Sequence, residues 1–177
     1  MATLRADTIE VVRLADADLA RLWRLVATGA NASEALHDLL PAIVREYGSL
    51  GASLAAEWYD QQRLRAGVSG SFFAEPMAAD DRGAHALVGS ALSEARNDDT
   101  LRTLILGGVQ RRVADHLRLT VANNAVSDDG ARGWVRVGSA GHCKWCDKYL
   151  DGEVRTVAGY DFDAHDNCNC TTQVAWA

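Results

Sequence analysis

Residues 143–170 read CKWCDKYLDGEVRTVAGYDFDAHDNCNC, and they contain all four cysteines of the 177-residue chain. The pattern is Cys-x2-Cys, then 18 residues, then His-x2-Cys-x-Cys. A Cys-x2-Cys turn places two sulfur atoms at the separation that tetrahedral Zn²⁺ requires, and a second pair from a distant loop completes the tetrahedron. Clustered cysteines favour metal binding over a disulfide scaffold. We therefore predict one structural Zn²⁺ per chain, with five candidate ligands: Cys143, Cys146, His165, Cys168 and Cys170.

A structural zinc ion takes four ligands, so one of the five candidates is spare. Cys143, Cys146 and His165 are the firmest choices. Between Cys168 and Cys170 the preference is slightly for Cys170, although residues two apart on an extended strand point the same way and geometry does not decide.

Three other interpretations of the cysteines compete with a structural metal site. Reduced cysteines also fill small cores. A redox Cys-x2-Cys motif follows a strand and opens a helix in a βαβ unit, and no such unit is visible. A catalytic zinc needs an open position and a base, for which Asp163 and Asp166 are candidates, but four or five strong ligands fit a closed site better.

The chain before residue 131 has the hydrophobic spacing of helices, with apolar residues three and four positions apart. Frequent alanine and only two prolines, Pro41 and Pro76, also favour helix. The prediction is a mainly α fold, in which residues 1–130 form a helical domain. The predicted helices cover residues 16–27, 31–65, 79–95 and 101–124.

Local signals predict where the first two helices end, begin and bend. Gly29 should end the first helix, and Asn31 should cap the second. Pro41 should kink the second helix or begin a new one. Gly48 and Gly51 weaken its middle and should mark a bend.

Two breaks follow along the chain. Residues 66–76 predict a loop or arm in which Phe72 and Phe73 pack against another part of the protein. Asn97 to Thr100 predict a cap for the last long helix. After Gly130, valines among Gly, Thr and Asp predict short strands. Residues 131–177 are therefore expected to form a small zinc-stapled β lobe, too short to hold a core without the metal.

Composition excludes several classes of function. The net charge of −6 disfavours a protein that holds DNA by bulk electrostatics. No apolar run approaches the roughly 18 residues of a membrane span, so no membrane contact is expected. On the helix 101–124, Arg111, Asp115 and Arg118 share one face, which we interpret as a solvated face with an internal ion pair rather than a phosphate-binding surface.

Other candidate residues have ordinary explanations. Ser139 beside His142 invites a protease interpretation, but the chain has no Gly-x-Ser-x-Gly elbow. Trp134, Trp145 and Trp176 are interpreted as the small core of the zinc lobe rather than as a platform for stacking bases. We therefore expect no catalytic residues.

The C-terminal motifs resemble those of a known phage family. Gly133-Trp134-Val135-Arg136-Val137, then Cys143-x2-Cys146, then Asp161-Phe162-x2-His165-x2-Cys168-x-Cys170 is similar to the C-terminal signature of Mu gpF-like (MuF) phage head morphogenesis proteins. The actinobacteriophage branch looks most similar. Residues 40–48 and 55–60 also resemble that branch, so the resemblance covers most of the chain.

The resemblance implies a minor structural protein of a tailed-phage head, and because the chain has no recognisable protease motif we expect it to be non-enzymatic. Such a protein assembles in the host cytoplasm and stays in the virion, where it acts in head morphogenesis and DNA packaging or ejection. The implied partners are the portal and/or the major capsid protein, with packaged DNA as a further candidate contact. Apolar helix faces around Phe72 and Phe73 are the expected docking surface. The alternative is a capsid maturation protease or a zinc-dependent nuclease.

Overall fold

The computed structural model describes residues 3–27, 31–139, 141–142, 144–157 and 162–177. Within these residues the chain is mainly helical, with a small two-stranded sheet near its C-terminal end, which confirms the predicted mainly α fold. The elements in chain order are α1 (Leu4–Ala27), α2 (Ala32–Arg65), α3 (Arg82–Glu94), α4 (Asp98–Ser127), β1 (Ala131–Val137), α5 (Lys144–Asp147) and β2 (Thr171–Trp176).

Side-chain caps set the starts of two long helices. Asn31 begins α2, and its side-chain oxygen accepts hydrogen bonds from the main-chain N–H groups of Ser33 and Glu34. Asn97 and Thr100 form a reciprocal capping box at the start of α4. Both predicted caps are confirmed, whereas the predicted helix end at Gly29 lies outside the described residues.

Helix α2 runs unbroken through Pro41, so the prediction that a new helix starts there was wrong. A proline removes one main-chain hydrogen bond, and the complete burial of Leu40 and Val44 beside it stabilises the helix across this position. The sequence predicts a bend at Gly48 and Gly51. In the structure these two glycines lie where α2 packs on α4.

Gly48 and Gly51 are the points where α4 approaches α2. A Cβ atom at Gly48 would lie 2.8 Å from the imidazole of His116, and one at Gly51 would overlap Leu117. His116 is buried, and its Nε2 accepts a hydrogen bond of 3.1 Å from the main-chain N–H of Asp80. The two glycines therefore allow close helix packing.

The described residues form two hydrophobic clusters. The first joins α1, α2, α3 and α4 through side chains such as Leu19, Leu40 and Ile105. The second combines Tyr59 and Leu117 of the long helices with residues of the C-terminal segment, including Trp134, Phe162 and Val174. The division of the chain into two domains at residue 130 stays a prediction, and this second core extends across that position.

The antiparallel sheet positions the cysteine-bearing loop. Strand β1 pairs with β2 in a register that places Trp134 opposite Val174 and Val137 opposite Thr171. Since β2 begins directly after Cys170, this pairing holds one end of the loop. The main chain of Trp134 also exchanges two hydrogen bonds with Arg155, which holds the segment between α5 and that loop.

A buried ion pair closes the ends of α2 and α4. Arg63 donates through Nε to Asp128 at 2.9 Å, and the Tyr59 hydroxyl donates to the same carboxylate at 3.1 Å. Arg63 also donates to the main-chain oxygens of Ser69 and Gly70, so it holds the loop after α2 as well. Burial and the nearby Asp128 raise the pKa of Tyr59, which therefore stays protonated.

Candidate metal centre

Three predicted ligands come together between α5 and the loop before β2. The potential ligand atoms of Cys146, His165 and Cys168 all lie within 4.8 Å of one another. The Cys146 sulfur is 3.4 Å from His165 Nε2 and 3.8 Å from the Cys168 sulfur. Tetrahedral zinc, with Zn–S near 2.3 Å and Zn–N near 2.0 Å, requires about 3.5 Å and about 3.8 Å for these two pairs. The residues therefore fit a single ion.

The other two predicted ligands are not part of this three-residue cluster. Cys143 lies outside the described residues. Cys170 is buried beside the cluster but is not one of the three residues whose ligand atoms lie within 4.8 Å of one another. The three-residue cluster thus contains Cys168, whereas the sequence slightly favoured Cys170 as the fourth ligand.

The thiol of Cys170 nevertheless belongs to the same polar network. Burial acts to raise its pKa, but hydrogen bonds with Cys146, with the main chain of Ser139 and with Arg136 outweigh burial and lower the pKa below its ordinary value. Cys170 is therefore a neighbour of the three-residue cluster that favours the thiolate form, which is the form that binds metals.

The His165 imidazole is oriented to offer Nε2 to a metal. Its Nδ1 lies 2.6 Å from the main-chain oxygen of Asp166, a partner that only accepts hydrogen bonds. Nδ1 must therefore carry the proton, and the lone pair of the neutral ring is on Nε2, which faces Cys146. Histidine ligands of metals are commonly held by this kind of hydrogen bond.

Arg136 on β1 supplies a positive charge to the sulfur atoms. Its Nη2 lies 3.4 Å from the Cys146 sulfur and 3.5 Å from the Cys168 sulfur, and its Nη1 donates to the main-chain oxygen of Phe162. Burial acts to lower the pKa of Arg136, but the adjacent cysteines outweigh burial and raise the pKa. The guanidinium stays charged and stabilises thiolates against their burial in a low-dielectric site.

Arg118 on α4 is the residue that sequence reasoning missed. Its side chain is 1% exposed and donates to the main-chain oxygens of Cys168 and, at 2.9 Å, Cys170. The predicted ion pair with Asp115 is present at 2.7 Å, but the interpretation of this face as solvated is wrong for Arg118. Helical spacing places Arg111 and Arg118 on the same face and carries no signal that one of them is buried under the cysteine loop.

Phe162 lies between the two buried arginines. The guanidinium carbon of Arg136 is 4.4 Å from the centre of the Phe162 ring, and that of Arg118 is 5.0 Å from it. Trp134 stacks on the same ring at a centroid distance of 6.0 Å. These cation–π and aromatic contacts connect α4 to β1 beneath the metal ligands.

The tryptophan prediction was partly wrong. Trp134 is completely buried and Trp176 packs against the second hydrophobic cluster, as expected. Trp145 is instead 46% exposed, with the Lys148 ammonium 3.4 Å from its ring centre. Helix α5 is a single turn, so its residues cannot all face the core.

The residues weighed for enzymatic roles have structural partners. His142 Nε2 lies 2.6 Å from Asp147, and its Nδ1 contacts the main-chain oxygen of Ser139, not the hydroxyl. Asp163 accepts a hydrogen bond of 2.6 Å from the Tyr149 hydroxyl. None of these contacts aligns a nucleophile with a base, which is what a protease requires.

The whole chain, residues 1–177, matches the VG15 protein family. The chain belongs to this family. VG15 is a viral family, consistent with a phage protein, so the resemblance to phage proteins is confirmed at this coarser level. No curated protein and no solved structure matches the chain. In the described residues of this VG15-family chain, no helix is long and apolar enough to cross a membrane.

The donor set of the VG15-family chain suits a structural metal ion. Cys146 and Cys168 are each 2% exposed, so two of the three clustered donors are shielded from water. Thiolates and imidazole are ligands that Zn²⁺ prefers, and a closed structural site adds a fourth protein ligand where a catalytic site keeps a position for water. The cluster is therefore able to hold an ion such as Zn²⁺ and thereby fix α5 to the loop before β2.

Proposed function

We propose that this VG15-family chain is a minor structural protein of a tailed-phage head, bound to the portal and/or the major capsid protein. Its role is in head morphogenesis and in DNA packaging or ejection, and it remains in the virion. The observation that carries this proposal is the match to a viral family along the entire chain. The MuF-like C-terminal motifs and their similarity to the actinobacteriophage branch add the finer assignment.

In this proposal the metal is a structural Zn²⁺, one per chain, and the protein has no catalytic residues. The tetrahedral spacing and burial of the described ligands support a closed site. Cys143 is proposed as a fourth ligand because its Cys-x2-Cys spacing places it one turn from Cys146.

The docking surface is proposed to be centred on Phe73. The sequence pointed to both phenylalanines of the arm, but Phe72 packs on Tyr59 at a ring distance of 5.7 Å. Phe73 is 81% exposed, and Leu64 at the end of α2 is equally uncovered. Protein interfaces are enriched in aromatic side chains, and burial of such a ring against a partner provides binding energy that the isolated chain does not use.

Contact with packaged DNA is a secondary part of the proposal. The chain carries 24 acidic against 18 basic residues, so it would gain little from neutralising phosphates. Protein–protein contacts are therefore expected to place it in the head.

The test is the composition of purified particles. We expect the protein in mature virions, and we expect it to co-purify with portal or major capsid protein from infected cells. Phe73→Ser should reduce co-purification. Leu39→Ser is the control and should leave co-purification unchanged. Leu39 is also exposed, but it lies about 30 Å along α2 from Asp60. Asp60 accepts a hydrogen bond from the main chain of the arm beside Phe73.

Three results would contradict the proposal. The first is complete absence of the protein from virions. The second is loss of capsid-protein processing when the gene is deleted, which would favour a maturation protease. Sequence-independent cleavage of DNA by the purified zinc-loaded protein would favour the nuclease instead.

A further inference from the structure

A cleft of about 570 Å³ is lined by residues of α1, of α4 and of the cysteine loop. Its walls combine apolar side chains with a few polar groups. The lining includes Ile9, Val12, Leu106, Asp16, Gln110 and Asn169. Asn169 stands between Cys168 and Cys170, so one wall of the cleft is the loop that carries the metal ligands.

Asp16 is an acidic group without a partner in the part of the chain that the structure describes. Its Oδ1 is buried and accepts no hydrogen bond. Burial raises the pKa of Asp16, and no neighbouring cation offsets this effect. A buried carboxylate oxygen without a donor is costly, because the lost hydration is not replaced.

A second unpaired acceptor lines the same cleft. Gln110 donates through Nε2 to Asn169 Oδ1 at 3.2 Å, which directs its amide, and its Oε1 is buried without a partner among the described residues. Two residues that line the cleft, one of them acidic, therefore each carry a buried acceptor that no donor satisfies in the described part of the chain.

The other charged groups near this part of α1 are already paired. Arg13, at the rim of the cleft, binds both carboxylate oxygens of Glu10 at 2.6 and 2.8 Å. On the next turn, Asp18 accepts hydrogen bonds from Arg21 and from the Tyr47 hydroxyl. Asp16 is thus the charge on this face that lacks a counter-ion in the described structure.

We propose that this cleft binds an arginine side chain of a partner protein. A guanidinium offers five N–H donors in a plane, its charge complements the Asp16 carboxylate, and the residues that line the cleft also include Gln110 with its unsatisfied acceptor. The three methylene groups of the arginine pack on Ile9, Val12 and Leu106. The cleft shares the cysteine loop with the metal centre but uses none of its candidate ligands, and the inference does not depend on the proposed role in the phage head.

The test is an NMR titration of the full chain in its zinc-loaded form with N-acetyl-arginine methylamide as the probe. We expect saturable shifts of the main-chain amides of residues 9–16 and 106–110. The corresponding lysine probe should bind at least fivefold more weakly, because its ammonium has the same charge but no planar set of donors.

Asp16→Asn should weaken the arginine probe at least tenfold, since it removes the charge and places a donor where an acceptor is required. Asp38→Asn is the matched control, because Asp38 is exposed on α2 and the substitution changes the net charge by the same amount. If Asp16→Asn fails to fold, Gln110→Leu removes the second acceptor and should weaken binding severalfold.

Three outcomes would overturn the inference. One is the absence of saturable shifts at the cleft with the arginine probe. Another is equal binding of the lysine probe, which would reduce the site to a non-specific negative charge. The third is unchanged affinity in the folded Asp16→Asn variant or, where that variant does not fold, in Gln110→Leu.

Discussion

Arg118 on α4 donates through Nε to the main-chain oxygen of Cys170 at 2.9 Å, across 52 positions of sequence. The same guanidinium also donates to the main-chain oxygen of Cys168 and to the Asp115 carboxylate. A helix side chain therefore holds the loop on which the metal ligands lie. The positions of these candidate ligands therefore depend on α4.

Arg118→Ala should lower the free energy of unfolding by about 2–4 kcal/mol, because it leaves two buried carbonyl oxygens without donors. Chemical denaturation of the zinc-loaded protein measures this. Arg111→Ala is the control, since Arg111 lies on the same helix, is 42% exposed and should change stability by less than about 1 kcal/mol. Equal effects of the two substitutions would contradict the anchoring role of Arg118.

His165→Ala and Cys168→Ser should each abolish stoichiometric zinc. Purified wild-type protein is expected to contain one Zn²⁺ per chain by elemental analysis. His85→Ala removes an exposed imidazole from α3 and should retain the metal. Loss of zinc on acidification should accompany ligand protonation, because metals bind thiolates and neutral imidazole. A wild-type protein prepared without chelators that carries no metal would remove the zinc hypothesis.

Arg136→Ala should weaken zinc binding by about 10–100-fold, the usual effect of removing a group that supports metal ligands. The reason is that its guanidinium lies 3.4 and 3.5 Å from the sulfurs of Cys146 and Cys168 and favours their thiolate forms. Competition with a fluorescent chelator measures the affinity. Arg132→Ala, at an exposed position of the same strand, should leave the affinity unchanged; a matching loss there would point to strand disruption.

Gly51→Ala should destabilise the protein by about 1–3 kcal/mol, since the added methyl group overlaps Leu117 and pushes α2 away from α4. Gly89→Ala on α3 is the opposite case. No atom lies within 4 Å of the Cβ position there, so alanine should stabilise the helix by about 0.5–1 kcal/mol. Thermal unfolding of both variants tests the prediction, which fails if the two shifts have the same sign.

Asp128→Ala should cost about 3–5 kcal/mol, because it leaves the buried guanidinium of Arg63 without its counter-ion. The neighbouring Asp129 is exposed, and Asp129→Ala should remain within about 0.5 kcal/mol of wild type. Urea denaturation monitored by circular dichroism distinguishes them. A small effect at Asp128 would show that the main-chain oxygens that Arg63 also binds suffice to compensate its charge.

The long helices and the cysteine–histidine cluster could be predicted from the sequence, because both leave a pattern in the spacing of residues. Apolar residues between Leu101 and Val121 recur at helical intervals. The spacing of Cys146 and the His165 motif is typical of residues that bind one metal ion. The sequence did not predict the role of Arg118, because the burial of this side chain depends on a loop 50 positions away.

The sequence did not decide between Cys168 and Cys170, because residues two apart on an extended chain point the same way. In the structure Asn167 has a φ of 62°, a left-handed conformation that turns the chain immediately before Cys168. The chain is therefore not uniformly extended here, and the cluster with Cys146 and His165 contains Cys168.

The contact between Arg5 and Gly138 has a consequence for how the chain folds. Arg5 Nη2 donates to the main-chain oxygen of Gly138 at 2.6 Å, 133 positions away, and Leu4 completes the hydrophobic cluster around Trp134. Closing a loop of this length costs about 4 kcal/mol in chain entropy, and contacts so distant in sequence form slowly. During synthesis the second hydrophobic cluster therefore cannot be completed until the segment that carries Trp134 and the cysteines has left the ribosome, so helix α1 waits for partners more than 130 positions away.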